Sequence, residues 1–284
     1  MRPHGWLGLG IILAAEALLF SGNAVIGRWF TPIVWTGYVL LVDALLFRLS
    51  GRSYLTTHRL EGVVVALVSI IGWWLFELYN APRFWRGGDD AVGIWWQYHQ
   101  MEANVFLRRV GYDWSFATIF PALFLTAAAL RASVFARVRI RPWAPSPNAM
   151  RLVVWVGAVA AALPLLVPSA WLVPLVWTGL VLVLEPLNAR AGRPSWLADL
   201  ARGDASRLVS LTVAGAICGV LWEFWNYWAI TKWTYTVPTT YLGHVKVFEM
   251  PVIGYLGFLP FALECYAMYH WARGLLNAPE PGVI

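Results

Sequence analysis

The sequence predicts an all-α integral membrane protein of about eight transmembrane helices, arranged as two parallel four-helix repeats. Three observations predict this fold class. The chain of 284 residues is 60% hydrophobic and only 13% charged, with a mean hydropathy of +0.61, which is too apolar for a soluble domain. It contains uninterrupted apolar runs of about bilayer length. Its two halves also share an ordered series of matching segments.

The apolar runs are long enough to predict transmembrane helices, because about 20 helical residues cross the hydrocarbon core. They lie at residues 5–22, 31–49, 62–80, 114–132, 152–168, 170–188, 208–228 and 250–272. Fourteen of the 21 Arg and Lys residues fall on one side of these runs, and most of the others fall in long loops, where charge has less influence. We therefore expect a multi-pass protein with both termini cytoplasmic, in the cytoplasmic (inner) membrane of a bacterial cell.

The internal match begins in the second and sixth runs. Residues 31–45 read TPIVWTGYVLLVDAL and residues 173–187 read VPLVWTGLVLVLEPL, at an offset of 142. Each copy contains four spans, an even number, so both copies enter the membrane in the same direction. This predicts a first four-helix repeat at 1–142 and a second at 143–284, related by an axis along the membrane normal.

The match also pairs acidic residues near the ends of the third and seventh runs. Glu77 and Asn80 in LFELYN recur as Glu223 and Asn226 in LWEFWN. Each Asn follows its Glu by three residues, hence on the same helical face. A carboxylate at membrane depth is costly and normally faces a bundle interior or a wet cavity. These four residues are therefore candidates for a site; the alternative is that they hold neighbouring helices together.

The second copy adds more acidic residues and a dense group of aromatic ones. Glu249 precedes the eighth run and Glu264 lies within it, and both are candidate catalytic residues. The aromatic candidates for binding a substrate are Trp222, Trp225, Trp228, Trp233 and Tyr235. Aromatic faces stabilise a cation by roughly 0.5–2 kcal/mol each, and a carboxyl group can act as a general acid. These groups would suffice to protonate an alkene and hold the carbocation, although an interfacial aromatic belt is the alternative.

A family resemblance lies in the same region. A Trp-containing stretch at 233–238 leads through Leu-Gly at 242–243 to FEMPVIGYLGF at 248–258. With this layout, residues 225–262 resemble the lycopene cyclase domain of the small membrane-embedded, non-flavin carotenoid cyclases. Members of that family also occur as tandem or paired membrane repeats.

The chain departs from the family at its acidic pair. After Pro251 it has Val252, Ile253 and Gly254 where the family carries paired glutamates, and Glu249 precedes the proline instead. The resemblance implies an acid-initiated reaction on an isoprenoid. The acids of this chain would, however, stand at other positions than the paired glutamates of the family.

We expect a membrane-embedded enzyme that acts on an apolar isoprenoid or carotenoid-type lipid by acid-initiated cyclisation, isomerisation or hydration. Glu223 and Glu249 are expected to act as acid and base, with Glu77 as the repeat-related partner. Asn80 and Asn226 would orient the carboxyl groups, and the Trp cluster would form cation-stabilising walls. A transporter with a site between the repeats and a non-catalytic membrane scaffold are the alternatives. No span shows a Gly/Pro pair near its middle, which weighs against the transporter.

Two weaker signals lie elsewhere. Asp43 and Glu185 match between the copies, and either pair with Arg48 and Arg190 or mark an ion path. In the long loop before the fourth run, residues 91–110 have the spacing of an amphipathic surface helix.

Composition and motifs exclude several other functions. The net charge of +6 comes from short Arg clusters between apolar runs, which predicts topology and no nucleic-acid partner. No phosphate-binding loop, dinucleotide fingerprint, nucleophile elbow or HExxH sequence is present. His99 and Glu102 are only a weak metal signal, so we predict neither a metal nor a cofactor. The expected partners are the bilayer and a membrane lipid or isoprenoid substrate, and a homo-oligomer is left open.

Overall fold

In the computed structural model, which describes residues 1–81, 93–167, 169–238, 242–276 and 282–284, eight helical segments are long and apolar enough to cross a membrane. They are Pro3–Phe20, Phe30–Ser50, Arg59–Asn80, Val105–Ala132, Pro147–Leu166, Ala170–Arg190, Ser206–Trp228 and Val252–Leu275. The predicted number of spans is confirmed, and all but the fourth begin close to the predicted position. The protein has the helices of a multi-pass membrane protein.

The helices and strands are labelled in chain order. They are α1 (Pro3–Phe20), α2 (Ala24–Arg28), α3 (Phe30–Ser50), α4 (Arg59–Asn80), β1 (Trp96–His99), α5 (Val105–Ala132), α6 (Pro147–Leu166), α7 (Val173–Val176), α8 (Gly179–Arg190), α9 (Trp196–Ala201), α10 (Ser206–Trp228), β2 (Lys232–Tyr235), β3 (Lys246–Val247), β4 (Met250–Pro251) and α11 (Phe258–Leu275). Short 3-10 turns at Ala170–Leu172 and Val252–Gly257 lead into α7 and α11.

Helices α4, α5, α10 and α11 form the centre of the bundle. Helix α5 packs against α4 and α10, and α11 packs against the same two helices. Helix α3 lies on α5, and α8 lies on α11; α1 then covers α3, and α6 covers α8. The outermost helices α1 and α6 expose apolar side chains such as Leu7 and Trp155. Such a surface is suited to lipid.

Glycines allow the two outer helices to approach their neighbours closely. A Cβ on Gly8 of α1 would collide with the carbonyl oxygen of Gly37 of α3, and a Cβ on Gly179 of α8 would lie 2.7 Å from the backbone nitrogen of Ala161 of α6. Apolar side chains facing lipid provide little force to associate helices, so close packing of small residues contributes much of it.

The sixth span is interrupted, although residues 170–188 are a continuous apolar run in the sequence. Trp177 and Thr178 form a turn between α7 and α8. The start of α8 leaves backbone N–H groups without helical partners. Two of these, from Leu180 and Val181, donate to Oε1 of Glu264 over 2.8 and 3.3 Å. A carboxyl group from α11 therefore caps the new helix start, which makes the interruption tolerable inside the bundle.

The amphipathic helix expected at 91–110 is wrong over residues 93–104, whereas residues 105–110 are helical as the start of α5. Residues 82–92 lie outside the described part of the chain. Trp96–His99 is β1, and the fourth span begins at Val105. Strand β1 pairs with β2 in an antiparallel ladder, with Trp96 opposite Tyr235. Hydrogen bonds to a distant segment therefore satisfy this backbone, and the helical spacing of its apolar residues does not decide its structure.

Candidate functional site

One end of the bundle contains a cavity of about 490 Å³ with walls that are mainly aromatic. Its lining comes from α3, α4, α5, α10 and α11, the turn before α8, and strands β1 and β2. The lining tryptophans are Trp29, Trp35, Trp73, Trp95, Trp96, Trp177, Trp222 and Trp233. A largely apolar cavity of this size with few polar groups is typical of a small-molecule site.

Trp35 and Trp177, the tryptophans of the two VWTG sequences, lie in the wall of this cavity. The ring of Trp35 is 4.9 Å from that of Trp222 between centroids. The ring of Trp177 stacks on Trp96 at 5.8 Å and 25° and meets Phe261 edge to face at 5.5 Å. Residues from both halves of the chain therefore interlock around a single space.

Glu223 is a fully buried carboxyl group in the cavity wall. The hydroxyl of Tyr235 donates to its Oε1 over 2.7 Å, and Nε1 of Trp233 donates to that hydroxyl over 2.7 Å. Oε2 has no hydrogen-bond partner among the described residues. A buried polar atom without a partner is costly, so Oε2 is the atom of this carboxyl group that still needs a hydrogen-bond partner.

The tyrosines of the two paired strands are half-buried, and their hydroxyls donate to carboxyl groups. Burial, followed by the neighbouring carboxyl group of Glu223, raises the pKa of Tyr235 well above its ordinary value. Burial and the neighbouring Glu77 raise the pKa of Tyr98 in the same way. Both hydroxyls therefore keep their protons at physiological pH and act as hydrogen-bond donors.

Glu77 accepts more hydrogen bonds than Glu223. Its Oε1 accepts from Nε1 of Trp73 at 2.9 Å, from Nε1 of Trp96 at 3.1 Å and from the hydroxyl of Tyr98 at 2.5 Å. All three donors line the cavity, whereas Glu77 itself is not among the described lining residues. Glu77 therefore holds three aromatic side chains of the cavity wall in place without itself being part of the described lining.

Asn80 and Asn226 hold the backbone of the two strands. The side-chain amide of Asn80 donates to Trp96 O over 2.9 Å, and its Oδ1 accepts from the backbone N–H groups of Trp95 and Trp96. Asn226 donates to Trp233 O over 2.8 Å and accepts from Trp233 N over 2.9 Å. Neither is among the described lining residues. Their amides hold the backbone of the two strands, whereas the sequence led us to expect that they orient the carboxyl groups. Asn80 also interacts with the carboxyl group of Glu77.

The predicted aromatic residues divide into two groups. Trp222, Trp233 and Tyr235 line the cavity. Trp225 lies behind the wall, where its Nε1 donates to Glu16 over 2.9 Å. Trp228 is 44% exposed at the end of α10, so an interfacial position explains it better than a place in the site.

The remaining predicted acids lie away from the cavity wall. Glu249 accepts from Nζ of Lys232 at 2.9 Å, and Lys232 itself lines the cavity. Glu264 is fully buried as the cap of α8. Among the predicted acids that the structure describes, only Glu223 is therefore in the wall.

Asp43 and Glu185 also have contacts other than those expected. Oδ1 of Asp43 accepts from Leu55 N over 3.1 Å, and Oε1 of Glu185 accepts from Leu197 N over 3.1 Å. Both acids thus hold the loop that follows their helix, and no ion pair with Arg48 or Arg190 is found in the described part of the chain.

His99 and Glu102 do not form a common site. Nε2 of His99 lies 2.7 Å from Oγ1 of Thr234 across the ladder, while Glu102 lies 3.5 Å from a guanidinium nitrogen of Arg28. The weak metal signal in the sequence therefore comes from two residues with separate partners.

Sequence reasoning misses the two strands and the two VWTG tryptophans as parts of the site. The strands share a readable signal, since Trp96-Gln97-Tyr98 and Trp233-Thr234-Tyr235 are both Trp-x-Tyr sequences that follow a Glu-x-x-Asn helix end. The VWTG match is visible in the sequence, but the sequence indicates nothing about the direction in which its tryptophans face.

Comparison of the chain with protein-family models, with curated proteins and with solved structures finds no match.

Proposed function

We propose that the protein is a membrane enzyme that converts an apolar isoprenoid or carotenoid-type lipid by acid-initiated cyclisation, isomerisation or hydration. Glu223 is the acid in this proposal. A single observation supports it most strongly: the buried carboxyl group in the wall of an aromatic cavity has one oxygen bound by Tyr235 and the other without a described partner. An alkene held among the tryptophans would meet that oxygen.

The proposed reaction begins with transfer of a proton from Oε2 of Glu223 to one carbon of a double bond. The π electron pair forms the new C–H bond, and the neighbouring carbon becomes a cation. Faces of Trp35, Trp177 and Trp222 stabilise that cation. Attack by a second double bond closes a ring, and loss of a proton back to Glu223 then restores the acid. Direct proton loss gives an isomer, and addition of water gives an alcohol.

The distant resemblance to the lycopene cyclase domain is consistent with this site. Ile253 and Gly254, at positions where that family carries its paired glutamates, line the same cavity as Glu223. In our proposal the acid reaches the same space from α10 instead. Glu249 keeps a supporting role through Lys232, and the Glu223 carboxylate takes the place of the second acid as the base.

We also propose that the chain is a duplication, with repeats at 1–142 and 143–284 in parallel orientation and both termini cytoplasmic. The matching hydrogen bonds of Asn80 and Asn226 with the backbone of a following tryptophan support this. In this arrangement Glu77 is the equivalent of Glu223, but of this pair only Glu223 is among the described residues of the cavity wall.

The test is mass spectrometry of lipid extracts from the host with the gene deleted and then restored as wild type, Glu223→Gln or Glu16→Gln. Glu16 is a matched control, since it is also a carboxyl group in a span and accepts from Trp225 outside the cavity. We expect an isoprenoid-type lipid to change in double-bond position, ring number or water content with wild type and Glu16→Gln only. An unchanged lipid profile in every strain would count against an enzyme.

Transport is the second candidate, and the interruption of the sixth span favours it. Trp177 and Thr178, at the break, both line the cavity, and interrupted helices beside a binding site are common in transporters. Proteoliposomes loaded with a labelled isoprenoid distinguish the two. Transport moves the label across the bilayer unchanged, whereas catalysis alters its mass or its double bonds.

A further inference from the structure

The cavity is lined by basic side chains as well as aromatic ones. Three basic side chains, Arg28, Arg108 and Lys232, are among its lining residues. They come from α2, α5 and β2, and hydrogen bonds draw the surrounding segments together. Ile230 N donates to Gly27 O over 2.9 Å.

A further hydrogen bond joins the residue after β1 to the residue before β2. The hydroxyl of Thr231 donates over 2.9 Å to the carbonyl oxygen of Gln100, two residues before Glu102 in the chain. Thr231 and Glu102 both line the cavity. Glu102 lies 3.5 Å from Arg28, and its Oε1 accepts from Asn104 N over 3.2 Å. Asn104 O in turn accepts from Arg108 N, so the two arginines are linked through the turn that leads into α5.

These three cations differ in their partners. Arg28 lies 3.5 Å from Glu102, a long contact between partly exposed groups, and Lys232 bonds Glu249 at 2.9 Å. The guanidinium of Arg108 makes no hydrogen bond or ion pair with any residue in the described ranges, although it is only partly exposed. A guanidinium offers five donors, which match the paired oxygens of a phosphate or carboxylate.

The neighbouring Arg109, unlike Arg108, has partners for its guanidinium among the described residues. Its Nε donates to Asp113 over 2.8 Å, and its guanidinium lies 3.9 Å from the ring centroid of Trp74. Arg109 does not appear among the described lining residues. Arg108 thus lines the cavity, whereas the adjacent Arg109 is held by Asp113 and Trp74 outside the described lining.

We propose that the ligand of this cavity is an amphiphile, an isoprenoid-type chain with an anionic phosphate or carboxylate headgroup, in which Arg108 binds the headgroup while the chain lies among the tryptophans. This inference rests on the proposed function, since it specifies the substrate class of the same site. Arg28 is the second cation within the lining, and its long contact with Glu102 leaves donors for the same headgroup. A neutral hydrocarbon would leave the guanidinium of Arg108 without a hydrogen-bond partner among the described residues.

Binding of defined probes tests the headgroup. Geranylgeranyl monophosphate, geranylgeranoate, geranylgeraniol and inorganic phosphate are titrated against the protein in neutral phosphatidylcholine nanodiscs, with quenching of tryptophan fluorescence as the readout. A charge-assisted hydrogen bond predicts that at least one anionic chain binds about tenfold or more tightly than the alcohol. The phosphate and carboxylate arms distinguish the two headgroups, and inorganic phosphate reports binding of an anion without a chain.

Three variants test whether Arg108 is the residue that binds the headgroup. Arg108→Gln is expected to remove the tenfold preference, Arg108→Lys to retain part of it, and Arg109→Gln to leave it unchanged. Size-exclusion profiles and melting curves check that each variant folds. Equal binding of alcohol and anions to the wild type, absence of binding by every probe, or an equal loss in Arg108→Gln and Arg109→Gln would each overturn the inference. If the alcohol binds as tightly as the anions and Glu223→Gln still abolishes conversion, the enzyme proposal survives and only the headgroup assignment fails.

Discussion

Tyr235 donates its hydroxyl hydrogen to Oε1 of Glu223 over 2.7 Å, although the two side chains come from different elements, β2 and α10. Asn226 holds the strand that carries Tyr235 by both polar atoms of its amide. One oxygen of the carboxyl group is thus bound to a strand that Asn226 holds in place, which fixes the orientation of Glu223 in the cavity wall. Tyr235 is therefore a positioning residue for the acid Glu223.

The first prediction concerns this tie. In Tyr235→Phe the aromatic wall remains but Glu223 loses its donor, so the carboxyl group rotates more freely. We expect kcat for conversion of the lipid to fall about tenfold or more, with little change in KM. The hydrogen bond stabilises the carboxylate that forms as the proton leaves Glu223, and a bond to a charged group contributes about 1.5–3 kcal/mol. Initial rates over a range of substrate concentrations separate the two constants.

Tyr79→Phe is the control for this substitution. Tyr79 donates to Ala161 O over 2.8 Å and is not among the described lining residues. Its loss of a hydroxyl is expected to affect stability but not kcat. Equal falls of kcat in the two variants would show that Tyr235 acts through general stability.

The second prediction concerns the asparagines that hold the strands. Asn80→Ala removes three hydrogen bonds with the backbone of Trp95 and Trp96. At about 1 kcal/mol each, the free energy of unfolding should fall by about 3 kcal/mol, measured by denaturant titration in mixed micelles. Asn23→Ala is the matched control. Asn23 is an exposed helix cap that accepts from Ile26 N, so its loss should cost about 1 kcal/mol. Equal costs for the two variants would contradict a holding role for Asn80.

The spans are predictable from hydropathy because lipid offers no partners for backbone polar groups, so that an apolar run of sufficient length must form a helix. The run at 208–228 and the helix Ser206–Trp228 agree for this reason. Glu223 is predictable as a candidate on the same basis, since an acid within such a run needs a reason to be there.

Strand pairing and capping are not predictable in this way. The bonds of β1 with β2 join segments far apart in the chain, and a four-residue strand is too short for its alternation to be distinguished from a helical pattern. Glu264 looks like a catalytic candidate for the same reason as Glu223. Its partners, Leu180 and Val181, become visible only when α8 and α11 are packed together.

The third prediction separates capping from catalysis at Glu264. Glu264→Gln keeps a carbonyl oxygen for the N–H groups of Leu180 and Val181, so it should cost less than about 1 kcal/mol in stability and leave conversion unchanged. Glu264→Ala leaves both N–H groups unsatisfied and should cost about 2–4 kcal/mol. Hydrogen exchange should accelerate at the first turn of α8 in the alanine variant alone. Loss of activity in a stable Glu264→Gln protein would instead identify Glu264 as a catalytic acid.

The last prediction concerns alkaline pH. Burial and a neighbouring carboxyl group raise the pKa of both Tyr98 and Tyr235 well above the ordinary value of 10. Between the ordinary pKa and the raised one, the folded protein retains protons that the unfolded chain releases. The contribution of each hydroxyl to stability is therefore fully present below about pH 10 and is lost as the pH rises further, by about 1.4 kcal/mol per pH unit. Replacing both tyrosines by phenylalanine should make the fall of the free energy of unfolding between about pH 10 and 11 less steep than in the wild type, whatever the cost at neutral pH. Parallel slopes would mean that water reaches the two hydroxyls and that the paired strands do not seal this side of the cavity.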